Sequence, residues 1–346
     1  MIGRRVGSGA VLFDAAQASL DRAAFSDPAI HALELRRVFA PSWLFAGPAN
    51  LVARPGDWLA TRLGREPVIL WRDPAGTLKA FINLCPRCER ALREGEQGSA
   101  ERLACPSHPH DADLTRVAQL AVHRGLVFAS LDPAALPFLD WLAPFADAFD
   151  GAFGGTMEAA GGHRLSWRFA GNWKLAMERF CGDLDGGRSA HAATDVASGG
   201  TRVAGPAFTL FPNLSFEAGT ASLQVWHPVA ADRTEVDTWC VVARDATPAE
   251  RDAARRATQF AWGPAGLLSQ DLAVHWQSIT ETSRGILARR HPLTLHDDPG
   301  QRTFYAWWQA RLSAANERPE EPRMLNVRRT IPGEPRCVTA RSAAPA

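Results

Sequence analysis

Two short ligand pairs constrain this chain more than any other feature. Cys85-Pro-Arg-Cys88 and Cys105-Pro-Ser-His108 are separated by sixteen residues. Each pair sits where a strand runs into a tight turn, so the two turns can deliver three thiolates and one imidazole to a single tetrahedral point. That donor set suits zinc, which is the preferred occupant of Cys85, Cys88, Cys105 and His108. The bland alternative is that the cysteines are small hydrophobes of a core. Paired C-x2-C and C-x2-H spacing argues against it.

The rest of the composition is that of an ordinary globular chain. At 346 residues there is room for two domains, or for one domain with a large insertion. A formal net charge of +1 gives no electrostatic case for nucleic acid or anionic lipid. No segment reaches the length of a membrane span, and the N-terminal residues lack the apolar run of a signal peptide. The expected compartment is the cytoplasm, where three of the six cysteines in a metal site make better sense than a disulfide framework. Cys181, Cys240 and Cys337 are isolated and read as packed or surface thiols.

Asp27 and Pro28 predict a helix start, with apolar Ile30, Leu33 and Phe39 continuing to about residue 39. Strands are expected over 58–62, 67–72 and 77–83, the last two joined by the turn Asp73-Pro-Ala-Gly76, and again over 124–131. A proline-containing segment, 132–149, leads onward. Further strands are expected over 164–169, 208–216, 222–228 and 236–243, and 172–191 reads as an interior helical region. Thr247-Pro-Ala-Glu250 is a capping box opening a helix to about 260; other helices are expected near 266–280 and 302–312. The division is therefore 1–44 as an N-terminal helical part, 45–150 as a small all-β domain, 151–318 as an α+β domain and 319–346 as an extended tail.

Cys85-x-Arg87, seventeen residues, then Cys105-x2-His108 matches the Rieske cluster motif Cys-x-His…Cys-x2-His without a gap, except that Arg87 stands at the first histidine. A guanidinium has no lone pair for a metal. Phe39-x3-Trp43, Gly56-Asp57-Trp58, Asn83-x-Cys85-Pro86, Gly125-Leu-Val-Phe128, Asn172-Trp-Lys-Leu-Ala-x-Glu178, Phe211-Pro-Asn213 and Gly263-Pro-Ala-Gly266 follow in order. Together they resemble the large (α) subunit of Rieske ring-hydroxylating oxygenases over about residues 25–315. The resemblance implies a Rieske-like all-β domain inserted in a helix-grip (START-like) catalytic-type domain, and α subunits assembled as trimers, with or without β subunits.

It also implies a mononuclear iron held by two histidines and a carboxylate. The family pattern lies on Glu178-Arg-Phe-Cys-Gly-Asp183-x2-Gly186-x4-His191. Asp183 matches the acid that bridges neighbouring subunits and His191 the second iron histidine, while Gly186 stands at the first. The third ligand falls at Asp271 or Leu272; Asp185, beside the vacancy, reads as a loop acid. Each metal centre thus lacks one histidine. The expectation is a non-catalytic α-like subunit with a structural zinc, assembled with an active α paralogue. The alternative is an active oxygenase with a 2Fe-2S cluster and Fe(II) in altered ligation, acting on an aromatic or apolar substrate. His110 is not expected to be a ligand.

Overall fold

A computed structural model describes residues 11–108, 114–162, 164–178, 184–185, 188–189, 207–295 and 299–314. The first long helix, α1 (Pro28–Glu34), begins as its sequence requires. The Asp27 carboxylate accepts from the Ala29 N–H at 2.8 Å and Pro28 occupies the first turn. The helix then widens into a π-helical turn, Leu35–Phe39, and stops before Pro41.

Two small antiparallel sheets follow. Strands β1 (Leu44–Pro48), β2 (Asp57–Leu63), β3 (Glu66–Arg72), β4 (Leu78–Ile82), β5 (Gln97–Ser99), β6 (Gln119–His123) and β7 (Leu126–Ser130) arrange as β4-β3-β2-β5 and β1-β7-β6. The β3–β4 turn is the one expected: Asp73 Oδ1 accepts from the Thr77 N–H at 2.7 Å, and Gly76 has φ +80. Strand β6 was not foreseen. The β6–β7 turn is Arg124-Gly125, both at positive φ, a two-residue hairpin. Its tip docks on the next sheet, where a Cβ on Gly125 would lie 2.1 Å from the Met157 carbonyl oxygen.

The 132–149 segment carries a helical turn at Phe138–Leu142 and the start of a helix at Ala146–Phe153. Strands β8 (Met157–Ala159), β9 (Leu165–Phe169), β10 (Ala207–Leu210), β11 (Leu214–Glu217), β12 (Ser222–Ala230) and β13 (Arg233–Ala243) form one antiparallel sheet in the order β8-β13-β12-β11-β10, with β9 also on β13. Helices α2 (Trp173–Glu178), α3 (Pro248–Trp262), α4 (Leu267–Thr282) and α5 (Pro299–Ser313) complete it. The expected capping box is present at Thr247 and Glu250.

Two expectations need correction. The 208–216 strand is a hairpin, because Pro212 offers no N–H to a ladder and the chain turns at Phe211–Asn213. Among the described residues of 172–191, helix covers Trp173–Glu178, while Leu184–Asp185 and Arg188–Ser189 pair as short antiparallel strands. Gly182, Gly186 and Gly187 each disfavour a helix interior by about 1 kcal/mol.

Charges fasten the small sheets to the large one. Arg62 on β2 pairs with Glu235 and lies 4.0 Å from Asp237, both on β13. Arg164 donates to the Ala60 carbonyl at 2.8 Å and reaches Asp237 at 3.5 Å; His227 Nε2 lies 3.1 Å from Asp237. Burial pushes the Asp237 carboxyl up, but His227, Arg164 and Ser166 outweigh it and hold it below the ordinary range. Its stabilisation is therefore complete above the unfolded value of about 3.9 and is lost as pH falls.

Two predictions come from this packing. In urea titrations, Asp237→Asn lowers stability by about 3–5 kcal/mol at neutral pH and flattens the loss that the parent protein shows below about pH 4. Lys174 Nζ lies 2.6 Å from the Glu34 carboxylate, both fully buried, so Lys174→Met strands that carboxylate and costs a similar ~3–5 kcal/mol by the same measurement.

Candidate metal centre

Strand β4 ends at Ile82 and hands the chain to the first turn. The Cys85 N–H donates to the Arg90 carbonyl at 2.7 Å, and the Glu89 N–H returns to the Cys85 carbonyl at 2.9 Å. Glu89 closes the turn at φ +58, a left-handed conformation that non-glycine residues rarely adopt. The second turn is closed by the His108 N–H on the Cys105 carbonyl at 3.1 Å. Cys85 and Cys105 are buried in a small separate core with Trp58, Ile69, Trp71, Leu92 and Leu103.

The four expected donors meet. Cys85 Sγ and Cys105 Sγ each lie 3.6 Å from His108 Nδ1, and Cys88 Sγ lies 3.6 Å from Cys105 Sγ. All four ligand atoms lie within 4.8 Å of one another. A tetrahedral zinc with metal–sulfur and metal–nitrogen bonds of ~2.3 and ~2.0 Å needs edges of roughly 3.5–3.8 Å. A binuclear cluster holds its ligand pairs on different irons, which sets donors across it roughly 5 Å or more apart. The Cys3His set therefore fits one metal ion, and it does not fit the two-cysteine, two-histidine Rieske cluster.

Arg87 is exposed, and its backbone N–H serves the site. Burial raises the Cys85 thiol, but backbone N–H groups of Cys88 and Arg87, with the neighbouring thiols, bring it down to about 7. Burial raises Cys88, and competition from Cys85 and Cys105 helps push it up to about 11 despite the Arg90 N–H. One thiol is thus poised as a thiolate and its neighbour is not.

Of the mononuclear iron positions, Asp183, Gly186 and His191 lie outside the described residues, as does His110. Asp271 is exposed on α4, whereas Leu272 packs against the core. Cys240 is half-buried on β13, with burial raising its thiol; Cys181 and Cys337 lie outside the described residues. No helix among the described residues is long and apolar enough to cross a membrane.

Two positions around the centre had no role assigned from the sequence. The Asn83 side chain pairs with the backbone of Arg93 in both directions at 3.0 Å. The Arg93 guanidinium donates to the carbonyls of Leu92, Ala104 and Arg102 at 2.9, 2.8 and 2.5 Å. Asn83 stood out as part of a motif; nothing in the spacing marked Arg93.

Residues 42–116 match the Rieske 2Fe-2S domain, and residues 187–314 match the catalytic domain of ring-hydroxylating α subunits. The chain belongs to the Rieske ring-hydroxylating oxygenase α-subunit family. It is 24% identical to the benzene 1,2-dioxygenase α subunit of Pseudomonas putida, over 84% of this chain and 85% of that one. It is also 24% identical to the biphenyl dioxygenase α subunit of Paraburkholderia xenovorans, over 82% and 83%. The fold agrees with a naphthalene 1,2-dioxygenase structure with indole bound in its active site, at TM-score 0.75 and 21% identity over 90% of this chain and 95% of that one. A quaternary ammonium Rieske monooxygenase superposes at TM-score 0.69 with 15% identity, over 88% and 99%. The Rieske-like domain and the catalytic-type α+β domain of this family are thus both present.

The thiol asymmetry can be read directly. Titrating metal-free protein and following thiolate absorbance in the ultraviolet, one group ionises with a midpoint near pH 7, and Cys85→Ser removes that step; Cys88 ionises only toward about 11.

Proposed function

We propose that this chain is a non-catalytic α-type subunit that carries a structural zinc on Cys85, Cys88, Cys105 and His108. The observation that carries the reading is the compact Cys3His donor set, with an exposed Arg87 where the family motif has a cluster histidine. Zinc has no redox chemistry, so the small domain would hold its shape without passing electrons. Gly186, at the place the family resemblance gives to an iron histidine, offers no side chain. With Asp271 exposed and Leu272 turned to the core, the α4 position adds no inward carboxylate to replace it.

Such a subunit assembles with an active α paralogue, with or without β subunits, in a trimeric or hexameric cytoplasmic complex. Asp183 is the residue through which it would serve a neighbour's centres. A second reading is supported by the two family matches in their usual order: an active oxygenase with a 2Fe-2S cluster and Fe(II) in altered ligation, hydroxylating an aromatic or apolar substrate. Fold alone does not choose between them; the donor set favours the first.

Metal and acid-labile sulfide analysis of the purified protein separates the two. The expected result is about one zinc per chain, no sulfide, no visible absorption and no oxygen uptake by the isolated chain. Two irons with two sulfides per chain would overturn the zinc assignment and leave the oxygenase reading in its place.

A further inference from the structure

Sixteen residues separate the two metal turns, yet their donors meet within 4.8 Å. Something other than the metal must hold them there if the site is to be formed in advance of binding. The link runs through two side chains behind the ligands. Asn83, two residues before Cys85, grips the peptide of Arg93 as a strand partner would, donating to its carbonyl and accepting from its N–H, both at 3.0 Å. Arg93 then reaches across to the second turn. Its Nη1 donates to Ala104, the residue before Cys105, at 2.8 Å, and its Nη2 to Arg102 at 2.5 Å.

We infer that Arg93 is the positioning residue of the metal centre, a guanidinium latch that locks the Cys105–His108 turn onto the Cys85–Cys88 turn and sets how tightly the metal is held. This rests on the metal-centre reading above. The physical case lies in the fork. A guanidinium presents its N–H groups in a fixed plane, so three carbonyls on two separate segments are satisfied by one rigid group. Hydrogen bonds from a charged donor are the stronger kind. A lysine keeps the charge but is a single flexible point donor and cannot hold carbonyls on both segments in the same geometry. Arg93 is half-buried and touches no ligand atom, so its effect on the metal acts through the backbone that precedes Cys105.

The test uses the full chain. Zinc dissociation constants and release rates are measured by chelator competition for the parent protein, Arg93→Ala, Arg93→Lys and the remote surface control Arg244→Ala. Cobalt-substituted samples report the ligand set by their visible spectrum. The expected result is one zinc per chain and an unchanged cobalt spectrum throughout, with zinc affinity lowered about 10–100-fold in Arg93→Ala, by less in Arg93→Lys, and unaltered in the control. Equal affinities and release rates in all four proteins would overturn the latch while leaving the zinc site standing. If the parent protein takes up no zinc, the metal-centre reading fails. The latch is then judged on the metal-free chain by alkylation of Cys105: faster labelling in Arg93→Lys than in the parent supports it, and equal rates overturn it. Arg93→Lys serves for either readout if Arg93→Ala does not fold.

Discussion

The Glu34 carboxylate is the point on which the large domain closes. Fully buried at the end of α1, it accepts from Trp173 Nε1 at 3.0 Å, Lys174 Nζ at 2.6 Å and Trp308 Nε1 at 2.9 Å. Those donors come from α2 and α5, so one anion joins an early, a middle and a late segment of the chain. Lys174 is itself fully buried, ringed by Phe25, Trp173 and Trp308 at 5.1–5.8 Å. Neither charge is tolerable alone in such a place, and together with the indole donors each is paired and hydrogen-bonded. The arrangement gives little net stability over an apolar filling, but its hydrogen bonds tie α1 directly to α2 and α5. Leu12 and Phe13 repeat the closure by donating their backbone N–H groups to Gln309.

The small sheets lie between α1 and α2 in the chain, and the two metal turns follow β4 and β5. The core around the cysteines is slight, led by Trp58, Ile69, Trp71, Leu92 and Leu103 and separate from the main core. A core of that size holds a tip loosely unless something else fixes it, and a bound metal is the usual remedy. Arg93 and Asn83 bring the turns together, and the Arg62 and Arg164 pairs hold the sheet beneath against β13. The tip is thus anchored twice, by buried charge at its base and by hydrogen bonds to main-chain carbonyls at its end.

What the sequence disclosed was local. The Asp27 cap, the Asp73-Pro-Ala-Gly76 turn, the Thr247–Glu250 box and the two ligand pairs each announce themselves within four or five residues, because capping, turn and ligand chemistry act over that span. Strand β6 escaped notice because Gln119–His123 has no bulky alternation and is only half-buried. The hairpin inside 208–216 was hidden by the apolar residues on both sides of Pro212. Glu34 with Lys174, and Arg93 with Ala104, join partners that no local pattern connects; their meeting is decided by tertiary packing.

Arg87 and Cys88 together explain why the centre is compact. At position 87 the backbone N–H faces the Cys85 sulfur, and that contribution is indifferent to the side chain. Position 88 lies on the inner side of the same turn, so its thiol comes to 3.6 Å from Cys105 Sγ. A donor moved one residue along a tight turn points in a different direction. With the thiol at 88, the four donor atoms lie within 4.8 Å of one another. Residues 87 and 88 thus act through one turn: the first supplies an N–H to the Cys85 sulfur, and the second brings a thiol to the Cys105 side.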